Sequence, residues 1–176
     1  MAAEPSLRAL IAEDYAAHGR DWTKPGFRAV AAYRLGVWRM GIRSRLVRAP
    51  FTLLYHALFR FCRNIYGIEL PYTAQIGRRV VIEHQGGIVI HGSTVIGDGT
   101  IVRQNCTFGI RNLDSLDEAP VIGRNVDIGA GAVILGRVTV GDDAVIGANA
   151  VVLVDVPSGW LAVGVPAKPR PRGAKT

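Results

Sequence analysis

An imidazole is the side chain best suited to accept a proton near neutral pH, and this chain has four. Two of them, His84 and His91, stand seven residues apart in the run IEHQGGIVIH, where Glu83 precedes the first. Another carboxylate, Glu69, lies fifteen residues before His84. Two histidines make an incomplete metal set, because a zinc site needs a third ligand, so no metal is expected. Cys62 and Cys106 match no metal or redox spacing and read as free thiols of a reducing cytoplasm. An isolated surface histidine is more often solvated than catalytic, so the weight falls on the elements that would hold it.

Those elements have two different periods. Residues 5–66 read as helices, with one expected over Leu7 to Ala17. A second carries the stripe Phe27, Ala31, Leu35, Trp38 and Ile42, with Pro25 near its start. A second stripe, Phe51, Leu54, Tyr55, Leu58, Cys62 and Ile65, follows Pro50, and Gly67 ends the helical region. His18 and His56 fall in this half and are assigned no role. From Ile68 onward the period is six. Ile122, Ile128, Ile134, Val140, Ile146 and Val152 keep unbroken register, and Val126, Ala132, Val138, Ala144, Ala150 and Val156 follow each by four. The same rule holds at Ile76, Ile82 and Ile88, slips by two residues, and resumes at Ile96, Val102 and Phe108. Each unit is a short strand and a corner, and three units close one coil, so Ile122 should stack on Val140, Ile128 on Ile146 and Ile134 on Val152. The fold class is therefore mainly β, a parallel β-helix of hexapeptide repeats behind a short N-terminal α-helical segment. Sequence alone leaves the hand of the coil open, and the usual crossover rule favours right-handed.

The division is residues 1–67 helical, 68–165 β-helix and 166–176 a basic tail, expected to peel away from the coil. Ile110 to Ala119 lacks the hexad and reads as a loop thrown out from one corner, a common functional position. The formal net charge is +7, and Arg28 to Arg63 contains eight arginines and no carboxylate. Such a block favours anionic partners. A nucleic-acid role would rest on those arginines alone, without the motifs of any known reader, and none is expected. No signal peptide or spanning segment is visible, so a cytoplasmic protein is expected.

The run IGRRVVIEHQGGIVIHGSTVIGDG, the NCTFG stretch, IGRNVDIGAGAVILGRVTVGDDAVIGANAVVLVDVPSG and the closing GVPAK together resemble the serine acetyltransferase family. The likeness covers Glu69 to Lys168, and PGFRAVAAYRLGVW resembles that family's helical region. It implies a left-handed coil, a homotrimer with active sites between subunits, and acetyl-CoA as co-substrate. It also implies that His84 deprotonates the acceptor hydroxyl while Glu69, where the family has aspartate, orients the imidazole. Glu83 matches a family carboxylate that touches the acceptor, and His91 is a weaker substrate-side candidate. Small residues at Gly109, Ala130, Gly131 and Ala148 would let the pantetheine arm lie against the corners. Lys168 and Arg170, with Arg172, would meet the nucleotide phosphates.

The sequence departs from the family at one telling place. The serine enzymes carry an Arg-His pair before the proline that opens the second block of repeats, and the Arg grips the amino acid's carboxylate. Here Glu118 and Ala119 precede Pro120. An anion where a carboxylate must bind repels it. The chain more closely resembles short acetyltransferases of exopolysaccharide biosynthesis, which implies a sugar hydroxyl as acceptor and a place at the inner membrane surface, where the arginine block would meet acidic lipid. The alternatives are a serine O-acetyltransferase of cysteine biosynthesis and a non-catalytic β-helix scaffold.

Overall fold

The computed structural model describes residues 5–112, 114 and 117–173. Ser6 caps α1 (Leu7–Ala17), its hydroxyl accepting from the Ala9 N–H at 3.3 Å. α2 (Pro25–Trp38) starts on its proline. α3 (Arg45–Phe61) starts after the Ser44 cap, so Pro50 lies inside it rather than ahead of it. A short π turn, Cys62–Tyr66, and Gly67 at φ +65° then release the chain into the β-helix.

The strands stack on three faces. The first face holds β1 (Ile68–Glu69), β4 (Ile88–Ile90), β7 (Thr107–Gly109), β10 (Val133–Leu135) and β13 (Val151–Val152). The second holds β2 (Gln75–Ile76), β5 (Val95–Ile96), β8 (Val121–Ile122) and β11 (Thr139–Val140). The third holds β3 (Val81–Ile82), β6 (Ile101–Val102), β9 (Asp127–Ile128), β12 (Val145–Ile146), β14 (Trp160–Gly164) and β15 (Ala167–Pro171). Every inter-coil pairing is parallel, and Ile122 meets Val140, Ile128 meets Ile146 and Ile134 meets Val152 as the hexad requires. Successive coils are thus one strand spacing apart, and the aliphatic residues fill the prism between the faces. The coil is left-handed, against the usual crossover preference.

Two expectations are corrected. First, the two-residue slip lies between Ile82 and Ile90, not after Ile88. β4 buries both Ile88 and Ile90, pairing Ile88 with Ile68 below and Ile90 with Phe108 above. The extra residues therefore swell the corner that carries His84. Second, the tail does not leave the coil at residue 166. β15 folds back antiparallel on β14, with Lys168 opposite Val163 and Arg170 opposite Leu161, because an antiparallel strand satisfies the open edge of the last coil. Only 174–176 of the tail lie outside the described residues, as do Leu113, Ser115 and Leu116 of the 110–119 loop.

α2 lies against the coil through its small residues. Gly26, Ala29, Val30, Tyr33 and Gly36 face inward. A Cβ at Gly26 would collide with the carbonyl of Ile82, so only small side chains let this helix lie against the coil. Arg34 fastens the contact. Its guanidinium pairs with Asp14 at 2.8 Å and donates to the carbonyls of Ile76 and Gly77, at 6% exposure for Arg34 and 1% for Asp14. Tyr33 adds a hydroxyl that donates to the Ala74 carbonyl and accepts from the Ile76 N–H. Removing one member of such a buried pair costs about 3–5 kcal/mol, since the other is left as an uncompensated charge.

Candidate active site

His84 stands on the enlarged corner between β3 and β4. At the regular corners along this edge the left-handed residue comes three positions before the next core residue: Asn105, Gly131 and Asn149. Gly87 fills that place here, so His84 (φ +70°) and Gly86 (φ +101°) belong to the enlarged part of the turn. Left-handed backbone is routine at the corners of this coil, as at Arg79, Asn125 and Asp143, so the two extra residues rather than the φ of His84 set this corner apart. The side chain is exposed and lines a cleft of about 500 Å³ with Glu83, Gln85, Gln104, His18, Lys24 and Pro25. The helical region therefore walls the cleft as well as capping the coil.

His18 and Gln104 are functional candidates that sequence reasoning did not single out. His18 is 1% exposed. Its Nδ1–H donates to the Asp14 carbonyl at 2.7 Å, and its Nε2 accepts from the Ile82 N–H at 3.2 Å, two residues from His84. Burial holds its pKa below the ordinary histidine value of 6.5, so the ring is the neutral acceptor this geometry needs. Gln104 has a buried side-chain oxygen without a partner, and it lines the same cleft. An unpaired buried acceptor is costly unless a ligand supplies the donor. No sequence signal marks His18, whose partner is 64 residues away.

The other expected residues fall into two groups. Glu69, on β1, lies in register beneath Val89, one residue past the edge that carries His84, and no hydrogen bond or ion pair joins it to His84 among the described residues. Glu83 is engaged by Arg103 at 3.3 Å, and Arg103 also pairs with Asp127, whose hydrogen bond is the main cause of the arginine's raised pKa. This column braces the His84 corner. Ala130, Gly131 and Ala148 continue upward along the same third-to-first edge, where each corner donates to the one below. A Cβ on Gly131, at φ +75°, would fall on the side-chain oxygen of Asn149, so this notch needs glycine.

The edge ends at the β14–β15 turn, where Lys168 is exposed and Arg170 half-buried. Four coil steps separate β3 from β14 (β3, β6, β9, β12, β14), or about 19 Å at ~4.8 Å each. An extended thioester arm could lie along that track with its phosphates by Lys168 and its reactive end by His84.

Gly109, His91 and Glu118 do not share this edge. They occupy the first-to-second edge, one face further round, because an edge recurs only once per coil. His91 Nδ1 accepts from the Ser93 N–H at 3.3 Å, which fixes its own turn. Glu118 is exposed in the β7–β8 loop with Asp114 and Asp117, and Ala119 and Pro120 are buried at the loop's base. His84 and His91 are thus at opposite ends of β4, and among the described residues no three His, Cys, Asp or Glu side chains converge as a metal site. Cys106 is buried, its thiol pKa raised by desolvation.

A hexapeptide coil with a histidine on an enlarged corner beside a track of small residues suits an acyltransferase, and comparison with known proteins gives the class. The family profile described as Bacterial transferase hexapeptide (six repeats) matches residues 119–153. The chain is 40% identical over 167 residues to a serine acetyltransferase of Helicobacter pylori, covering 93% of each protein. It is 36% identical to the putative colanic acid biosynthesis acetyltransferase WcaB of Escherichia coli, covering 79% of this chain and 86% of that one. Among solved structures, serine acetyltransferase from Brucella abortus in complex with coenzyme A superposes with a TM-score of 0.81 at 27% identity, covering 98% of this chain and 71% of that one. The chain belongs to the serine acetyltransferase family and is an acetyltransferase.

Proposed function

We propose that this enzyme transfers the acetyl group of acetyl-CoA to a sugar hydroxyl of an exopolysaccharide unit. His84 takes the proton of the hydroxyl as its oxygen attacks the thioester carbonyl. The tetrahedral intermediate then collapses, and the coenzyme thiolate leaves and takes up a proton. By the resemblance Glu69 orients the imidazole, although no hydrogen bond joins the two in this structure, and the side-chain amide of Gln104, which lines the cleft, turns toward a second hydroxyl of a polyhydroxylated acceptor. The coenzyme A complex of the Brucella abortus protein supports acetyl-CoA as donor, and the edge from His84 to Lys168 has the notch and length for it.

The acceptor assignment rests on one observation above all. Glu118 stands in an exposed acidic loop at the position where the resemblance implies an arginine for the serine carboxylate. The names of most relatives favour a second reading, transfer to free L-serine. Assembly as a homotrimer is part of the proposal. His84 and Ala130–Gly131 lie on one edge, and His91, Gly109 and Glu118 on the next, so a head-to-tail ring of copies would bring the two sets together. The proposal sets the enzyme in the cytoplasm at the inner membrane surface.

Purified protein with acetyl-CoA and L-serine decides between the acceptors. Negligible thiol release with serine is expected, together with acetylated glycan units, seen by mass spectrometry, in cells that carry the protein and not in those with His84→Ala. Efficient serine turnover overturns the sugar assignment.

A further inference from the structure

We infer that α3 is a membrane-surface helix whose outward face inserts among the lipids of an anionic bilayer. It extends the membrane-surface location proposed above but stands on α3 alone. Along this helix only Tyr55 of Arg45–Phe61 is fully buried. Leu46, Leu53 and Leu54, then Phe61 and Ile65 just beyond, recur at steps of seven, eight, fifteen and nineteen from Leu46, which is one side of a helix. They are open to solvent, Leu46 at 88%, Leu53 at 75% and Ile65 at 65%. Leu58 and Phe61 extend this apolar surface into the groove that α3 forms with Leu7, Ile11, Phe27 and Leu35. Scattered exposed leucines need no explanation, but a continuous apolar face at least 17 residues long does.

The flank of that face identifies the partner. Arg45, Arg60 and Arg63 are exposed on one side of it, and Arg43 is exposed just ahead of the helix. Among the described residues none of them pairs with a carboxylate. The sequence has no Asp or Glu between Asp21 and Glu69, so neither α2 nor α3 supplies a local counter-ion. An apolar stripe bordered by unpaired arginines matches a surface that is apolar below and anionic at its rim, as acidic phospholipid is. A second copy meeting this face across a two-fold axis would bring these arginines no carboxylate from its own α2 or α3, since neither helix has one. No described helix is long and apolar enough to cross a membrane, so α3 would lie in the interface plane.

The test is flotation of the full chain with vesicles of phosphatidylcholine, with and without phosphatidylglycerol, and sedimentation velocity in parallel. Binding should need the anionic lipid and weaken with salt. Arg60→Gln and Arg63→Gln should each lower the partition coefficient roughly fivefold. Leu53→Glu, which changes a fully outward side chain, should lower it at least about tenfold. These variants should keep the wild-type sedimentation coefficient. Absence of binding to phosphatidylglycerol vesicles overturns the inference, and so does Leu53→Glu changing the assembly's mass, which would make the face a contact between copies. Neither result depends on the acceptor, so either can fail while acetyl transfer to sugar stands.

Discussion

Replacing His18 tests how the helical cap holds the His84 corner. In His18→Ala the N–H of Ile82 loses its acceptor inside the protein, which costs about 1–3 kcal/mol for a buried amide. The ring also packs 5.9 Å from Phe27, centroid to centroid, and its loss leaves a cavity between α1, α2 and β3. Together these give a loss of about 2–4 kcal/mol. The pH dependence is more diagnostic. Burial sets the folded pKa of His18 below 6.5, so as pH falls past 6.5 the unfolded chain binds a proton that the folded chain refuses. Stability from this group is complete above that value and declines as pH falls toward the lowered folded pKa. His18→Gln, which offers an amide oxygen near the position of Nε2 and does not titrate, should lose that decline. Urea unfolding midpoints of wild type and His18→Gln from about pH 8 to about pH 5 measure the difference. A wild-type decline that persists unchanged in His18→Gln, or a neutral His18→Ala, refutes the reasoning.

Other perturbations have equally definite outcomes. Asp14→Asn should destabilise by about 3–5 kcal/mol in thermal or denaturant unfolding, because Arg34 stays buried without its counter-charge. Gly131→Ala should cost about 1–3 kcal/mol through its positive φ and the Asn149 contact, and steady-state kinetics should show a raised KM for acetyl-CoA. Gln104→Leu should leave the melting midpoint unchanged or higher, since it removes an orphaned acceptor, while raising KM for the acceptor about tenfold. Glu118→Arg should raise activity toward L-serine by about tenfold, read as thiol release.

The β-helix was legible because its core is periodic: six aliphatic residues in register specify stacking partners 18 residues apart without further information. The place of the slip was not, since β4 buries Ile88 and Ile90 alike and either fits the count. The stripe on α2 located the helix, but its close approach to the coil is set by Gly26 and Ala29, whose small size leaves no periodic apolar signal. The candidate site was drawn from motif and period, and the structure sets His84, Ala130, Gly131 and Ala148 along one edge. Gly109 was grouped with them as a small residue at a family-matched position, but it sits on another edge. His18 and Gln104 stayed hidden, since their roles arise from contacts between distant segments that leave no local pattern.

The most direct measurement is the acetyl-transfer rate of purified His84→Asn with acetyl-CoA and a glycan repeat unit, beside its melting midpoint. A proton acceptor at this corner predicts a fall in kcat of about a hundredfold or more with the midpoint unchanged. Turnover within a few-fold of wild type would show that some other group removes the proton.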